Sequence, residues 1–191
     1  FSELAYQGLV SQIIAYGIST AALFVIAGQL YERMNTRDLN RMGGLWEQIP
    51  KMGGIGLIFV MASLGLPGLG NFVAEFLTLS GVFKSSILFA CLASVGLVAG
   101  TIYALRIMQK VFYGRQSSGL KMKDLSVRES IVLGAMVIVI IYLGIFPQAV
   151  INTAKPAIMK TLNNKEQTTD LKKNKADYES YFFTPPLMGE N

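Results

Sequence analysis

The stretch Leu64-Gly65-Leu66-Pro67-Gly68-Leu69-Gly70-Asn71-Phe72-Val73-Ala74-Glu75 decides how this chain folds. It lies inside an apolar run from Gly53 to Val82 that is long enough to cross a bilayer, and Glu75 is the single charge in that run. Pro67 has no backbone N–H and its ring clashes with the preceding turn, so a helix breaks or kinks there. Gly65, Gly68 and Gly70 remove side chains around the break and ease irregular backbone. At membrane depth such backbone is tolerated only where protein buries it or water reaches it. The expected element is a discontinuous transmembrane helix, broken at Pro67, Gly68 and Gly70. Asn71 is expected to cap its second half, leaving Glu75 near the first turn of that half.

An ionisable group at this depth costs several kcal/mol, and proteins that keep one ordinarily use it on an ion or proton path. The half-helix N-terminus favours the carboxylate, whereas low dielectric favours the acid. Two opposing effects of similar size would poise Glu75 to take up and release protons. The alternative is a glutamate locked in an ion pair with a Lys or Arg of another helix.

Composition agrees with a membrane protein. Apolar residues make up 52% of the chain and charged residues 15%, against about 25% charged in an ordinary soluble domain. There is no histidine, which excludes histidine metal sites and histidine acid–base chemistry. The single cysteine, Cys91, excludes a disulfide framework and a cysteine-rich metal site, and is expected to be a small buried hydrophobe. The net charge of +5 does not point to nucleic acid, because the basic residues fall between apolar spans. No phosphate loop, cofactor fingerprint or nucleophile–base pair is present, so no cofactor and no metal is expected on this chain. The chain opens at Phe1 without a signal-peptide pattern and is expected to be the C-terminal piece of a longer protein.

Four segments qualify as membrane spans: Leu9–Leu30, Gly53–Val82, Ser86–Phe112 and Ser130–Ile151. The first loop carries Arg33, Arg37, Arg41 and Lys51. The third carries Arg115, Lys121, Lys123 and Arg128, while the short second loop has only Lys84. The positive-inside rule puts the first and third loops on the cytoplasmic side and both chain ends outside. Arg33, Arg37 and Asp38 are expected to anchor the first loop by ion pairing. Residues 158–191 read as a polar, extended or disordered tail, with Tyr181-Phe182-Phe183-Thr184-Pro185-Pro186 near its end.

Polar residues mark which helices line a path. Gln12, Tyr16, Ser19 and Thr20 recur at helical spacing on the first span. In hydrocarbon this stripe must face other helices or water, as ordinary interhelical hydrogen bonding or as the lining of a path. On the third span Gly96-x-x-x-Gly100 reads as a close-packing site. Arg106 and Lys110 end that span as snorkelling cations, with Lys110 a candidate proton exit. The fourth span is apolar within Ile131–Gly144 except for Tyr142 and reads as lipid-facing or scaffolding.

Three stretches carry a family resemblance. They are Leu4-Ala5-Tyr6-Gln7-Gly8; then Gly28-Gln29-Leu30-Tyr31-Glu32-Arg33 with Thr36-Arg37-Asp38 and Met42-Gly43-Gly44-Leu45-Trp46; then Leu64-Gly65-Leu66-Pro67-Gly68 with Gly70-Asn71-Phe72-Val73 and Glu75-Phe76. Residues 1–157 resemble the C-terminal third of the NuoM-type antiporter-like subunits of respiratory complex I, whose mitochondrial counterpart is the subunit 4 type. The resemblance implies the eleventh to fourteenth helices of a fourteen-helix subunit, with the twelfth discontinuous. It also implies that Glu75 takes the half-channel position, where sister subunits carry a lysine. The family often has a histidine in the eleventh helix where this chain has Tyr16. A tyrosine relays through water, but its ordinary pKa of about 10 makes it a poor proton store.

The expected fold is therefore an all-α membrane protein of four transmembrane helices, one discontinuous, from an antiporter-like bundle. The expected function is proton translocation in the membrane arm of an NADH:quinone oxidoreductase, along Glu75, Tyr16, Gln12, Ser19, Thr20 and Lys110. NADH, FMN, iron–sulfur clusters and quinone are implied on other subunits. The expected partners are the neighbouring antiporter-like subunits and membrane lipid, in a bacterial inner membrane or the mitochondrial one. The alternatives are a subunit of a multi-subunit sodium–proton antiporter or membrane-bound hydrogenase, and a purely structural membrane subunit.

Overall fold

A computed structural model describes residues 3–114 and 122–183, and among these the elements are all helical. They are α1 (Glu3–Met34), α2 (Pro50–Ser63), α3 (Gly70–Phe83), α4 (Ile87–Met108), α5 (Val127–Ile145) and α6 (Gln148–Phe183). A 3₁₀ turn at Leu45–Glu47 precedes α2, and a π turn at Gln109–Tyr113 prolongs α4. Three helices are long and apolar enough to cross a membrane, namely α1, α4 with its π turn, and α5, while α2 and α3 are shorter apolar helices.

The expected broken span is thus two helices joined by residues 64–69. Helix α2 ends in a Schellman motif: Gly65 takes φ +64°, its N–H donates to the Ala62 carbonyl (3.0 Å), and Leu66 N–H donates to Met61 (3.2 Å). Pro67 follows and cannot continue the helix. Gly68 turns the chain at φ +97°, and Leu69 enters α3 in extended conformation. The linker amides of Leu64, Gly65, Leu66 and Leu69 all find local carbonyls, which lets irregular backbone persist at depth. Asn71 does not cap α3. The N-cap is Leu69 without a side-chain cap, and Asn71 lies within the first turn, turned toward α1.

Helix α1 packs antiparallel on α3 through small residues. Its buried positions Ala5, Gly8, Ser11, Ala15, Ser19, Ala22, Ile26 and Gln29 recur every three or four residues. A Cβ on Gly81 would fall 2.7 Å from that of Ala5, and one on Gly8 would fall 2.9 Å from the Leu77 carbonyl carbon. The two backbones therefore touch, as small residues allow between membrane helices.

Several boundaries differ from expectation. The fourth span ends at Ile145, not Ile151, because Pro147 drives the preceding Phe146 out of the α region. The stretch from residue 158, expected as an extended or disordered tail, is helical through Phe183. Its five lysines, with Leu162, Leu171 and Ala176, are good helix formers, and the hydroxyls of Thr161 and Thr168 find carbonyls one turn back. Thr184-Pro185-Pro186, like Arg115 and Lys121, lies outside the described residues. Gly96 and Gly100 meet no neighbour within 4 Å, so the expected packing site faces outward. Cys91 is exposed on α4, not buried.

The first and third loops meet at one end of the bundle. Arg33 is the centre of that junction: it pairs with Glu129 (3.0 Å) and donates to the carbonyls of Gln29 (3.1 Å), Lys123 (2.8 Å) and Asp124 (3.4 Å). Arg37 instead lies over the Tyr31 ring at 4.9 Å, and the Asp38 carboxylate accepts from Asn40 N–H (2.9 Å). Of the expected anchors, only Arg33 forms an ion pair among the described residues. Ser126 and Glu129 form a capping box at the start of α5.

Ile49 has no side chain able to cap α2. Asp124 reaches across from the third loop and accepts from the amides of Lys51 (2.9 Å) and Met52 (3.2 Å). Replacing Asp124 by Ala is expected to lower stability by about 1–2 kcal/mol, as for loss of a helix cap, while Asp124→Asn retains most of it. Thermal unfolding of the solubilised protein measures the difference.

Candidate functional site

The α1–α3 seam brings the polar groups of both helices into register. Tyr16 donates its hydroxyl to the Glu75 carboxylate in a short hydrogen bond. One turn toward the loop end, Asn71 Nδ2 donates to Ser19 Oγ at 3.1 Å. One turn the other way, the single Thr78 hydroxyl proton is shared between the Ala74 carbonyl (2.8 Å) and Gln12 Oε1 (3.3 Å). Beyond these, Ser11 donates to the Gln7 carbonyl (2.9 Å), and Gln7 Nε2 donates to Glu3 (2.9 Å).

Helical geometry places this site well inside the membrane. At a rise of about 1.5 Å per residue, Tyr16 lies about 20 Å along α1 from Glu3 and about 25 Å from Arg33. Glu75 is in the second turn of α3, two residues deeper than a cap at Asn71 would place it. Its carboxyl is buried against the linker: a Cβ on Gly65 would fall 3.2 Å from Glu75 Cδ. The left-handed glycine at the end of α2 therefore also makes room for the acid. No Lys or Arg pairs with Glu75 among the described residues; its partner is the Tyr16 phenol.

Of the sequence candidates, Glu75, Tyr16, Gln12 and Ser19 meet in this seam. Thr20 does not. It is exposed and faces a separate apolar groove of about 390 Å³, lined by residues such as Phe24, Val60, Tyr103 and Ile107. Lys110 is also apart: in the π turn, its ammonium donates to Asn40 in the first loop (3.3 Å). Pro67, Gly68 and Gly70 form the break, with Gly70 packed on Leu143, Ala15 and Ile140. The polar spacing on α1 did not single out Thr78 or Asn71. Thr78 stands three residues after Glu75 and so shares its helix face, a signal legible from spacing alone.

Residues 1–101 match the family model described as NADH:quinone oxidoreductase/Mrp antiporter, transmembrane. The chain belongs to this family. An NADH-quinone oxidoreductase subunit M from Pseudomonas aeruginosa is 47% identical over 152 residues, covering 79% of this chain and 30% of the relative. The subunit M of Escherichia coli K12 is 40% identical over 160 residues, covering 82% of this chain and 31% of the relative. Among solved structures, a chain of respiratory complex I from Thermus thermophilus with bound NADH matches with TM-score 0.66 and 32% identity. That match covers 82% of this chain and 36% of the other. The family member described here thus spans under a third of the length of either subunit M.

Close approach in the seam makes the site sensitive to added volume. Gly8→Val places its side chain on the α3 backbone at Leu77 and Thr78. Overpacking of this kind costs about 1–3 kcal/mol. Gly17→Val, where a Cβ meets nothing within 4 Å, is expected to be tolerated. Thermal stability of the solubilised variants checks the contrast.

Proposed function

We propose that this chain supplies the Glu75 half-channel of a proton path in the membrane arm of an NADH:quinone oxidoreductase. The observation that carries the reading is the Tyr16–Glu75 hydrogen bond beside a helix break, in a chain of this family. Glu75 takes up and releases the proton. Tyr16 orients the carboxyl, and Thr78, Gln12 and Ser19 line the approach.

Magnitudes argue against a purely structural glutamate. Interhelical hydrogen bonds in membranes average about 0.6 kcal/mol and reach about 1.7. An acidic side chain at the bilayer centre costs about 2.5–3.5 kcal/mol on insertion scales. The bond to Tyr16 does not recover that cost, so Glu75 is a poor packing device. The seam also supports a direction. Polar groups continue from Glu75 toward Glu3, whereas toward the loop end, between the Asn71–Ser19 pair and the buried Gln29, the interior is apolar, with Ala22, Ile26, Met52 and Phe59 at most 4% exposed.

In this reading the subunit sits in a bacterial cell membrane among other antiporter-like subunits and lipid. Quinone reduction elsewhere in the complex drives the proton cycle. NADH, FMN, the iron–sulfur clusters and quinone are held by other subunits. Lys110, remote from the seam, has no part in the Glu75 cluster itself.

The test is Glu75→Gln in the full-length subunit of the native complex, with assembly followed on native gels. The expected result is normal assembly with pumping and NADH:quinone turnover both reduced at least about tenfold, toward the contribution of a positioned proton carrier. Tyr16→Phe is expected to assemble and to retain part of the activity. Near-normal coupled activity in an assembled Glu75→Gln complex refutes the reading, and poor assembly of that variant favours a structural role.

A further inference from the structure

A second helix break lies beside the first. Helix α5 ends at Ile145, Pro147 withholds the N–H that would continue it, and α6 begins at Gln148. Glu129 near the start of α5 is tied to Arg33, and Gly144 stands about 22 Å further along α5 at the ordinary helical rise. That puts the end of α5 near the level of Tyr16 and Glu75.

The two breaks are in direct contact. Gly144 lies against the α2–α3 linker, where a Cβ would strike the Gly68 carbonyl group and fall 2.6 Å from the Leu69 carbonyl carbon. Next to it, a Cβ on Gly70 would fall 2.8 Å from that of Leu143. The other end of the same linker, at Gly65, rests on the Glu75 carboxyl. A six-residue linker is therefore held between Gly144 on one side and Glu75 on the other.

We propose that Gly144 and Pro147 are positioning residues for Glu75, acting through the linker from Gly65 to Leu69. Pro147 ends α5 where the linker needs room, and Gly144 supplies a surface without a side chain against which the linker seats. The carboxyl reaches Tyr16 because Gly65 is held in place behind it. The functional weight of this arrangement rests on the proton-carrying role of Glu75. The geometry itself stands without that role.

The test therefore reads Glu75 directly. Membranes carrying the complete complex are treated with a hydrophobic carbodiimide, which modifies membrane carboxyl groups in their acid form. Labelling of the Glu75 peptide is followed by mass spectrometry across a range of pH. The variants are Gly144→Ala, Pro147→Ala and Gly134→Ala, the last placed where a Cβ meets nothing within 4 Å. In assembled complexes, Gly144→Ala and Pro147→Ala are expected to change the labelling rate by about threefold or more and to displace its pH profile, as coupling through packed groups does. Gly134→Ala is expected to match the wild type. Unchanged labelling and profile in assembled Gly144→Ala overturn the proposal, even where Glu75→Gln abolishes pumping. If Gly144→Ala does not assemble, Pro147→Ala decides alone, and failure of both to assemble makes the break a folding element and also overturns it. Pumping that survives Glu75→Gln removes the proton role of the acid but leaves the labelling result to decide the geometry.

Discussion

Backbone contact between α1 and α3 is the constraint on which the site depends. Gly8 and Gly81 let the two helices approach until main-chain atoms meet, and Ala5, Ser11, Ala15 and Ser19 continue the same narrow seam. In hydrocarbon no hydrophobic effect drives helices together, so this packing supplies the attraction that the polar groups alone do not. At that separation the short side chains of Ser19, Asn71 and Thr78 span the gap to the opposite helix, and Tyr16 reaches Glu75. A wider seam would part each of these groups from its partner on the opposite helix. The polar ladder is thus a consequence of the glycine contacts, and the glycine contacts make the ladder affordable.

The helix breaks place a second demand on the same region. Irregular backbone inside a membrane must find internal hydrogen-bond partners. The linker between α2 and α3 meets that demand locally through the Schellman turn at Gly65 and the bonds of Leu66 and Leu69. It also needs cover, which α5 supplies with Gly144 and Leu143 and α1 supplies with Ala15. The half-helix α3 then starts in a packed setting, with Leu69, Gly70 and Asn71 buried. Its partially positive N-terminal turn lies next to a buried acid. The other half, α2, is fixed from the loop end by Asp124, which Arg33 and the capping box hold in the junction.

Much of this was legible in the residues. Pro67 among glycines announces a break, and a lone Glu75 in an apolar run announces a buried acid. The spacing of Gln12, Tyr16 and Ser19 announces one polar face. Thr20 falls outside the seam because the one-residue step from Ser19 turns by about 100°, enough to carry its side chain into the neighbouring apolar groove. Asn71 looked like a cap, yet the approach of α1 offered Ser19 as a partner, and a tertiary contact displaced the local one. The second break was written plainly at Pro147, but a hydropathy window runs across a single proline without registering it. Asp124 capping a helix over seventy positions earlier in the chain has no local signature at all.

Tyr16 narrows what the site can do. A phenol with an ordinary pKa of about 10 stays protonated through the neutral range, so it serves as a hydrogen-bond donor and not as a store of exchangeable protons. With no histidine in the chain, Glu75 is the one carboxyl group in the seam between Ser11 and Ser19. On the proposed proton path, storage and orientation would then be divided between two residues on two helices: the acid on α3 would hold the proton, and the phenol on α1, which donates to it, would fix where the acid points. A sideways shift of α3 against α1 would part them and free the carboxyl to turn along the seam toward Thr78 and Gln12. Such a shift would have to disrupt the backbone contacts at Gly8 and Gly81, where the two helices already meet without intervening side chains.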